Sequence, residues 1–119
     1  MKIGSVLENQ KTEKRISITP EIAKKYKSLG LDVCLSKNYG AHLGISDEEY
    51  KNFGVKFFED EKEVINLSNI VVQLGLLSDD KSSLLKEDQT LIGVLNPYDN
   101  KKKLDELTKK KIKLFSLVV

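Results

Sequence analysis

The chain has 119 residues, 39% hydrophobic and 32% charged, the size and balance of one globular domain and not of a disordered segment. Twenty basic residues against eighteen acidic leave a net charge of +2, too small a surplus to draw the chain to nucleic acid or an anionic membrane. No apolar run approaches the roughly 18 residues of a membrane span. The start, MKIGSVLENQ, lacks the apolar centre of a secretory signal. The single Cys34 excludes an intramolecular disulfide and a cysteine-based zinc site, and fits a reducing cytoplasm.

Residues 2–6 read as a first strand, followed by a polar loop over residues 7–15. Thr19-Pro20 then opens a helix, with Thr as N-cap, Pro at the first helical position and Glu21 in the first turn. Ile22, Ala23, Tyr26 and Leu29 form its apolar stripe and Gly30 stops it. Residues 32–35 are a second strand, and residues 38–45, with Gly40 and Gly44, a turn. Ser46 and Glu49 have capping-box spacing, Tyr50 and Phe53 point inward, and Gly54 ends that short helix. Residues 55–58 form a third strand. Asp60 and Glu63 repeat the capping spacing before an apolar face of Val64, Ile65 and Leu67. Residues 70–74 make a nearly all-apolar fourth strand, as burial on both faces requires. A weak helix over 78–86, a fifth strand over 90–95, a turn at 96–99, a helix over 101–110 using Leu104 and Leu107, and a sixth strand over 112–119 complete the chain.

Strands alternating with capped amphipathic helices specify an α/β unit, Rossmann-like or flavodoxin-like, with three layers and a mostly parallel sheet of five or six strands. The whole chain reads as one domain over residues 1–119. It ends inside an apolar β run, which suggests the N-terminal part of a larger protein, shortened at its C-terminus. On that reading Ile112, Leu114, Leu117 and Val119 lose their normal cover, and self-association near residues 115–119 is expected.

In an open parallel sheet ligands bind beyond the carboxyl ends of the strands, where the strand order switches. That rule selects the loops at 7–15, 75–78 and 96–99. Arg15 is the only arginine among nineteen lysines, and its planar fork offers bidentate pairing that lysine cannot imitate. It is expected to hold its loop by pairing with Glu8, Glu13 or a carbonyl. Gln73 ends the fourth strand at the same edge, and Asn96 and Tyr98 follow the fifth. Arg15, Gln73, Asn96 and Tyr98 are therefore the candidate crevice residues. No catalytic residue and no metal ligand stands out: His42 is alone in a turn, Cys34 reads as a core residue, and Asp79-Asp80 suits a helix start. The lysines at 101–103 and 109–111 are diluted by Asp105 and Glu106 and carry no interleaved aromatics, so nucleic acid is not an expected partner. There is no GxGxxG and no GxxxxGK[ST], so the chain lacks a glycine cradle for a pyrophosphate and is expected to bind no cofactor by itself.

Lys2-Ile3-Gly4, Glu8 and the TEKRISITP stretch ending at Pro20 resemble the N-terminal signature of the alanine dehydrogenase and pyridine nucleotide transhydrogenase family. The likeness continues through Gly30, Gly40-Ala41, Ile45-Ser46-Asp47, Tyr50, IVVQLG and VLNPYDN, and so covers essentially the whole chain. Asn96-Pro97 favours the transhydrogenase α subunit. Gln73 stands where alanine dehydrogenases use a lysine on substrate. Val6 stands where many members have proline, and Val118-Val119 where the family continues with an acidic residue.

The resemblance implies a parent oxidoreductase and translocase. It would use NAD(H) and NADP(H), pass hydride from NADH towards NADP+, and couple this to proton movement across an inner membrane. This domain would stand on the cytoplasmic face. Its partners would be the remaining NAD-binding domain and the membrane and NADP-binding subunit. Two alternatives stand beside it: a stand-alone α/β interaction or small-ligand module, and an alanine dehydrogenase-like N-terminal domain.

Overall fold

A computed structural model describes residues 1–8, 14–75, 77–94 and 99–116. Six strands form one all-parallel sheet: β1 (Lys2–Ser5), β2 (Asp32–Ser36), β3 (Lys56–Phe58), β4 (Ile70–Val72), β5 (Thr90–Gly93) and β6 (Lys113–Ser116). Their spatial order is β3-β2-β1-β4-β5-β6. The chain builds leftward from β1 to β3, then crosses back to β4 and builds rightward. With right-handed crossovers that reversal puts the two sets of helices on opposite faces. On one face lie α1 (Pro20–Ser28) and α2 (Asp47–Lys51). Their Ala23 and Tyr50 join Ile3, Val33, Leu35 and Val72 in one core. On the other face lie α3 (Glu61–Leu67), α4 (Asp79–Ser82) and α5 (Lys101–Lys109), where Val64 and Ile65 of α3, Leu107 of α5 and Leu85 from the segment after α4 cover Val6, Cys34, Val71 and Leu91.

Local chemistry explains most boundaries. The Thr19 hydroxyl accepts from the Ile22 amide, Pro20 needs no donor at the first helical position, and Gly30 takes φ 85° beyond the helix end. The Asp60 carboxylate likewise caps α3, accepting from the Lys62 amide. Gly4 has a packing reason. A Cβ there would lie 2.0 Å from the Ser68 hydroxyl oxygen, so β1 and the end of α3 approach too closely for any side chain.

Five sequence expectations are corrected. Leu29, expected on the apolar stripe of α1, is its C-cap and is 75% exposed, while Ile22, Ala23 and Tyr26 do face the core. Ser46 occupies the N-cap position of α2, but its side chain makes no capping bond. The nearby Asp47 carboxylate instead accepts from the Asn38 amide. Leu67, at the last turn of α3, is 41% exposed and lies off the apolar face. The helix expected over 78–86 contracts to α4, because Ser83 and the residues after it turn towards β5. Ile112 and Leu114 are not left bare: Ile112 is buried and Leu114 packs against the core under α5. Leu117 and Val119 lie outside the described residues.

Candidate functional site

The strand order places the switch between β1 and β4, where consecutive crossovers leave in opposite directions. The two strands pair only over Ile3–Ile70 and Gly4–Val71 and then part. Beyond that point the Gln73 backbone stays with β5, its amide donating to the Ile92 carbonyl at 2.9 Å. Its side chain crosses to β1, where Oε1 accepts from the Val6 amide at 2.8 Å and Nε2 donates to the Val6 carbonyl at 3.1 Å. The carboxamide thus replaces a missing rung of the ladder and closes the parting strands.

Four hydrogen bonds saturate this amide. Oε1 also accepts from the Ser5 hydroxyl at 2.9 Å, and Nε2 also donates to Glu8 Oε2 at 2.8 Å. Two acceptor sites and two donor hydrogens are the full capacity of a glutamine, and the pattern fixes which end is oxygen. Since the Ser5 proton is directed at Gln73, the Tyr39 hydroxyl, 2.8 Å away, must donate to Ser5. Tyr39 in turn accepts from the amides of Ser17 and Ile18. All bonds therefore point one way, from the backbone at 17–18 through Tyr39, Ser5 and Gln73 to the Glu8 carboxylate. Aligned donors polarise one another, which strengthens such a chain in a buried setting.

Glu8 is the negative end of this chain. Its Oε2 also accepts from the Leu74 amide at 2.9 Å, and its Oε1 from the Gly75 amide at 3.0 Å. Successive backbone amides of this kind form an anion-binding concavity. Lys81 adds a tie from α4, donating to the Leu7 carbonyl and pairing with Glu61 at 3.1 Å.

Arg15 is exposed and is not a free cation. The backbone around it is held from several sides. His42 Nε2, in the short 3-10 turn Ala41–Leu43, meets the Lys14 carbonyl at 2.8 Å. Tyr39 holds 17–18, and the Tyr50 hydroxyl donates to the Ile18 carbonyl at 2.7 Å. Burial pushes the phenols of Tyr39 and Tyr50 upward, so both stay protonated. Tyr50 packs edge-on against Tyr39 and Phe57.

Of the candidate residues, the structure brings Gln73 to the crevice with its amide fully engaged, and sets Arg15 on the anchored loop nearby. Asn96 and Tyr98 lie outside the described residues. Glu8, Ser5 and Tyr39 were not among the candidates. Tyr39 sits in a stretch that reads only as a turn, and Ser5 inside a strand. Glu8 offered one usable signal, a carboxylate immediately beyond a strand end at the expected ligand edge. Among the described residues no group of three histidine, cysteine or carboxylate side chains is placed to hold a metal. Cys34 packs in the core and burial raises its thiol pKa. No described helix is long and apolar enough to cross a membrane.

The family model for the alanine dehydrogenase/PNT N-terminal domain matches residues 4–117. The chain belongs to this family. It is 33% identical over 121 residues to the first part of the NAD(P) transhydrogenase alpha subunit of Rickettsia prowazekii, covering 98% of this chain and 32% of that protein. N(5)-(carboxyethyl)ornithine synthase of Lactococcus lactis is 30% identical over 98 residues, covering 82% of this chain and 30% of that protein. Among solved structures, transhydrogenase from Sinorhizobium meliloti superposes with a TM-score of 0.88 at 22% identity, over 98% of this chain and 34% of that one. That likeness establishes the Rossmann-like α/β fold. The chain spans about a third of the length of these relatives.

Proposed function

We propose that this chain is the first domain of an NAD(P)+ transhydrogenase α subunit and is not catalytic alone. In the parent, hydride would pass from NADH to NADP+ with proton movement across a membrane. The chain's partners would be the following NAD-binding domain and a membrane and NADP-binding subunit, with this domain on the cytoplasmic face. The observation that carries the reading is the match to the Rickettsia prowazekii subunit along 98% of the chain. The crevice chemistry supports it. In a dinucleotide-binding domain the first strand leads into glycines and a helix N-terminus that cradle the pyrophosphate. Here it leads into Leu7-Glu8, and the carboxylate of Glu8 meets the amides that face the switch point. An anion against an anion is unfavourable, so the domain would shape its surroundings and leave NAD(H) to its partner domain.

An alanine dehydrogenase-like role is disfavoured by one residue. Gln73 stands at the position of the family's substrate lysine and has no donor to spare. A stand-alone ligand module remains the second reading.

Two measurements test the proposal. Replacing the first domain of a Rickettsia-type α subunit by this chain, and assembling it with the membrane subunit, should preserve reduction of NADP+ by NADH. The isolated chain should bind NADH with a millimolar Kd or weaker. A folded chimera without hydride transfer, or micromolar NADH binding by the isolated chain in calorimetry, would overturn it.

A further inference from the structure

The donors at the β1–β4 parting are in place without help from Glu8. Gln73 is pinned by Ser5 and by both backbone groups of Val6. The Leu74 carbonyl is fixed by the Val94 amide, and the Gln73 amide by Ile92. These bonds hold three N–H groups, from Gln73 Nε2, Leu74 and Gly75, facing one spot. Their arrangement fits a planar anion with two oxygens, one taking two donors and the other taking one. We infer that this is a carboxylate-binding nest and that Glu8 is its built-in occupant, an autoinhibitory contact that shuts free carboxylates out of the crevice.

The decisive quantity is effective concentration. Glu8 follows β1 by three residues, so its carboxylate is always beside the nest and competes as an intramolecular ligand. A free carboxylate can enter only when that side chain leaves. The donors it would then meet are preorganised without Glu8: Gln73 Nε2 keeps its bond to the Val6 carbonyl, and the Val94 amide holds the Leu74 carbonyl, whose peptide plane also carries the Gly75 N–H. The inference goes beyond the transhydrogenase reading and holds whichever parent the domain serves.

The test uses the full chain, with acetate and inorganic phosphate as probes. In Glu8→Ala, the amide resonances of Leu74 and Gly75 should move away from their wild-type positions and return towards them, saturably, as acetate is added. Wild type should show acetate affinity at these amides weaker by about tenfold or more, since its own carboxylate competes. Phosphate should bind Glu8→Ala less well than acetate, being tetrahedral where the nest is matched to a planar group. A folded Glu8→Ala chain whose two amides ignore acetate overturns the inference, and so does wild type binding acetate there as tightly as the variant. Phosphate binding as tightly as acetate overturns the carboxylate class. Should Glu8→Ala fail to fold, Glu8→Gln keeps the size and removes the charge, and acetate should again find the amides. The unaltered chain adds an independent check. Couplings across the hydrogen bonds should link the Glu8 carboxyl carbon to the Leu74 and Gly75 amide nitrogens, and their absence sinks the assignment.

Discussion

The two halves of the sheet are finished differently. Strands β1 to β3 are covered on both faces, by α1 and α2 on one side and by α3 on the other. Strands β4 to β6 have helices α4 and α5 on the α3 face. On the opposite face Ile70, Val72, Thr90, Ile92, Lys113 and Phe115 share one side by strand alternation, and no described helix covers the outer part of it. The register row Val72–Ile92–Phe115 records the change. Val72, beside the α1 core, is 9% exposed, Ile92 is half-buried, and Phe115 on the edge strand is 58% exposed. The polar chain from Tyr39 to Glu8 lies where the two halves meet. A site anchored in the finished half and reaching the unfinished one can be rigid on one side and open to partners on the other.

The largest effect that sharpens this contrast comes from truncating equivalent core positions. Leu35, on the same face as Phe115 but fully buried beneath α1 and α2, should cost about 2–5 kcal/mol on change to alanine. Urea denaturation checks the value. A loss below about 1 kcal/mol would mean that this half is looser than its packing indicates.

Gly4→Ala comes next. The added methyl would meet the Ser68 hydroxyl oxygen at 2.0 Å and Val64 Cγ1 at 3.1 Å, and Ser68 is itself bonded to the Val64 carbonyl at 2.6 Å. Overpacking of that kind costs about 1–3 kcal/mol. The same substitution at Gly75, where the nearest outside atom would be Glu8 Oε1 at 3.4 Å, meets only ordinary contact. Equal losses in thermal denaturation at the two sites would contradict the close β1–α3 approach.

The strand order could not be read from the sequence, yet most elements could. Apolar runs and caps such as Thr19-Pro20 are local signals and survive folding, so the alternation, the parallel sheet and four of the helices are legible. Ser46 shows the limit: the capping spacing is present, but Asp47 and Asn38 make the local bond. The site was less legible because its bonds join residues 65 to 68 positions apart, as between Gln73 and Ser5, Val6 or Glu8. Gln73 could be chosen as a strand-end amide, but nothing local says that Ser5 and Tyr39 will complete its complement. Glu8 stood out from the other charges of its loop only by its place just beyond a strand end and by its part in the family signature.

Alkaline pH probes the anchored half. The folded pKa of Tyr39 and of Tyr50 is raised above the ordinary phenol value of about 10, by burial first in both cases. Below about pH 10 both phenols are neutral in the folded and unfolded chains, and the stability from keeping them neutral is fully present. Above it the unfolded chain ionises first, so stability falls by about 1.4 kcal/mol per pH unit for each group until the folded phenol also titrates. Tyr39→Phe and Tyr50→Phe should each flatten this fall, at a cost of about 1 kcal/mol near neutral pH for the lost hydrogen bonds. Unchanged alkaline slopes in both variants would show that these phenols are not sheltered.

The smallest stability change belongs to the open half and is the most informative about partners. Phe115 is exposed on edge strand β6, so Phe115→Ser removes little buried surface and should alter folding stability by about 0.5 kcal/mol or less. Its effect should appear in association instead. An apolar row ending on a strand with only one strand neighbour among the described residues recruits another chain, and in isolation the available chain is a second copy. Lys113 on the same strand and face limits this by placing a charge beside the row. Weak, concentration-dependent dimerisation is therefore the expected behaviour of the isolated domain, and Phe115→Ser should shift sedimentation towards monomer at equal concentration. If the variant unfolds as readily as Leu35→Ala, then Phe115 is covered in solution. If wild type is strictly monomeric at high concentration, the open half does not recruit a copy of itself, and the contrast between the halves lies in packing alone.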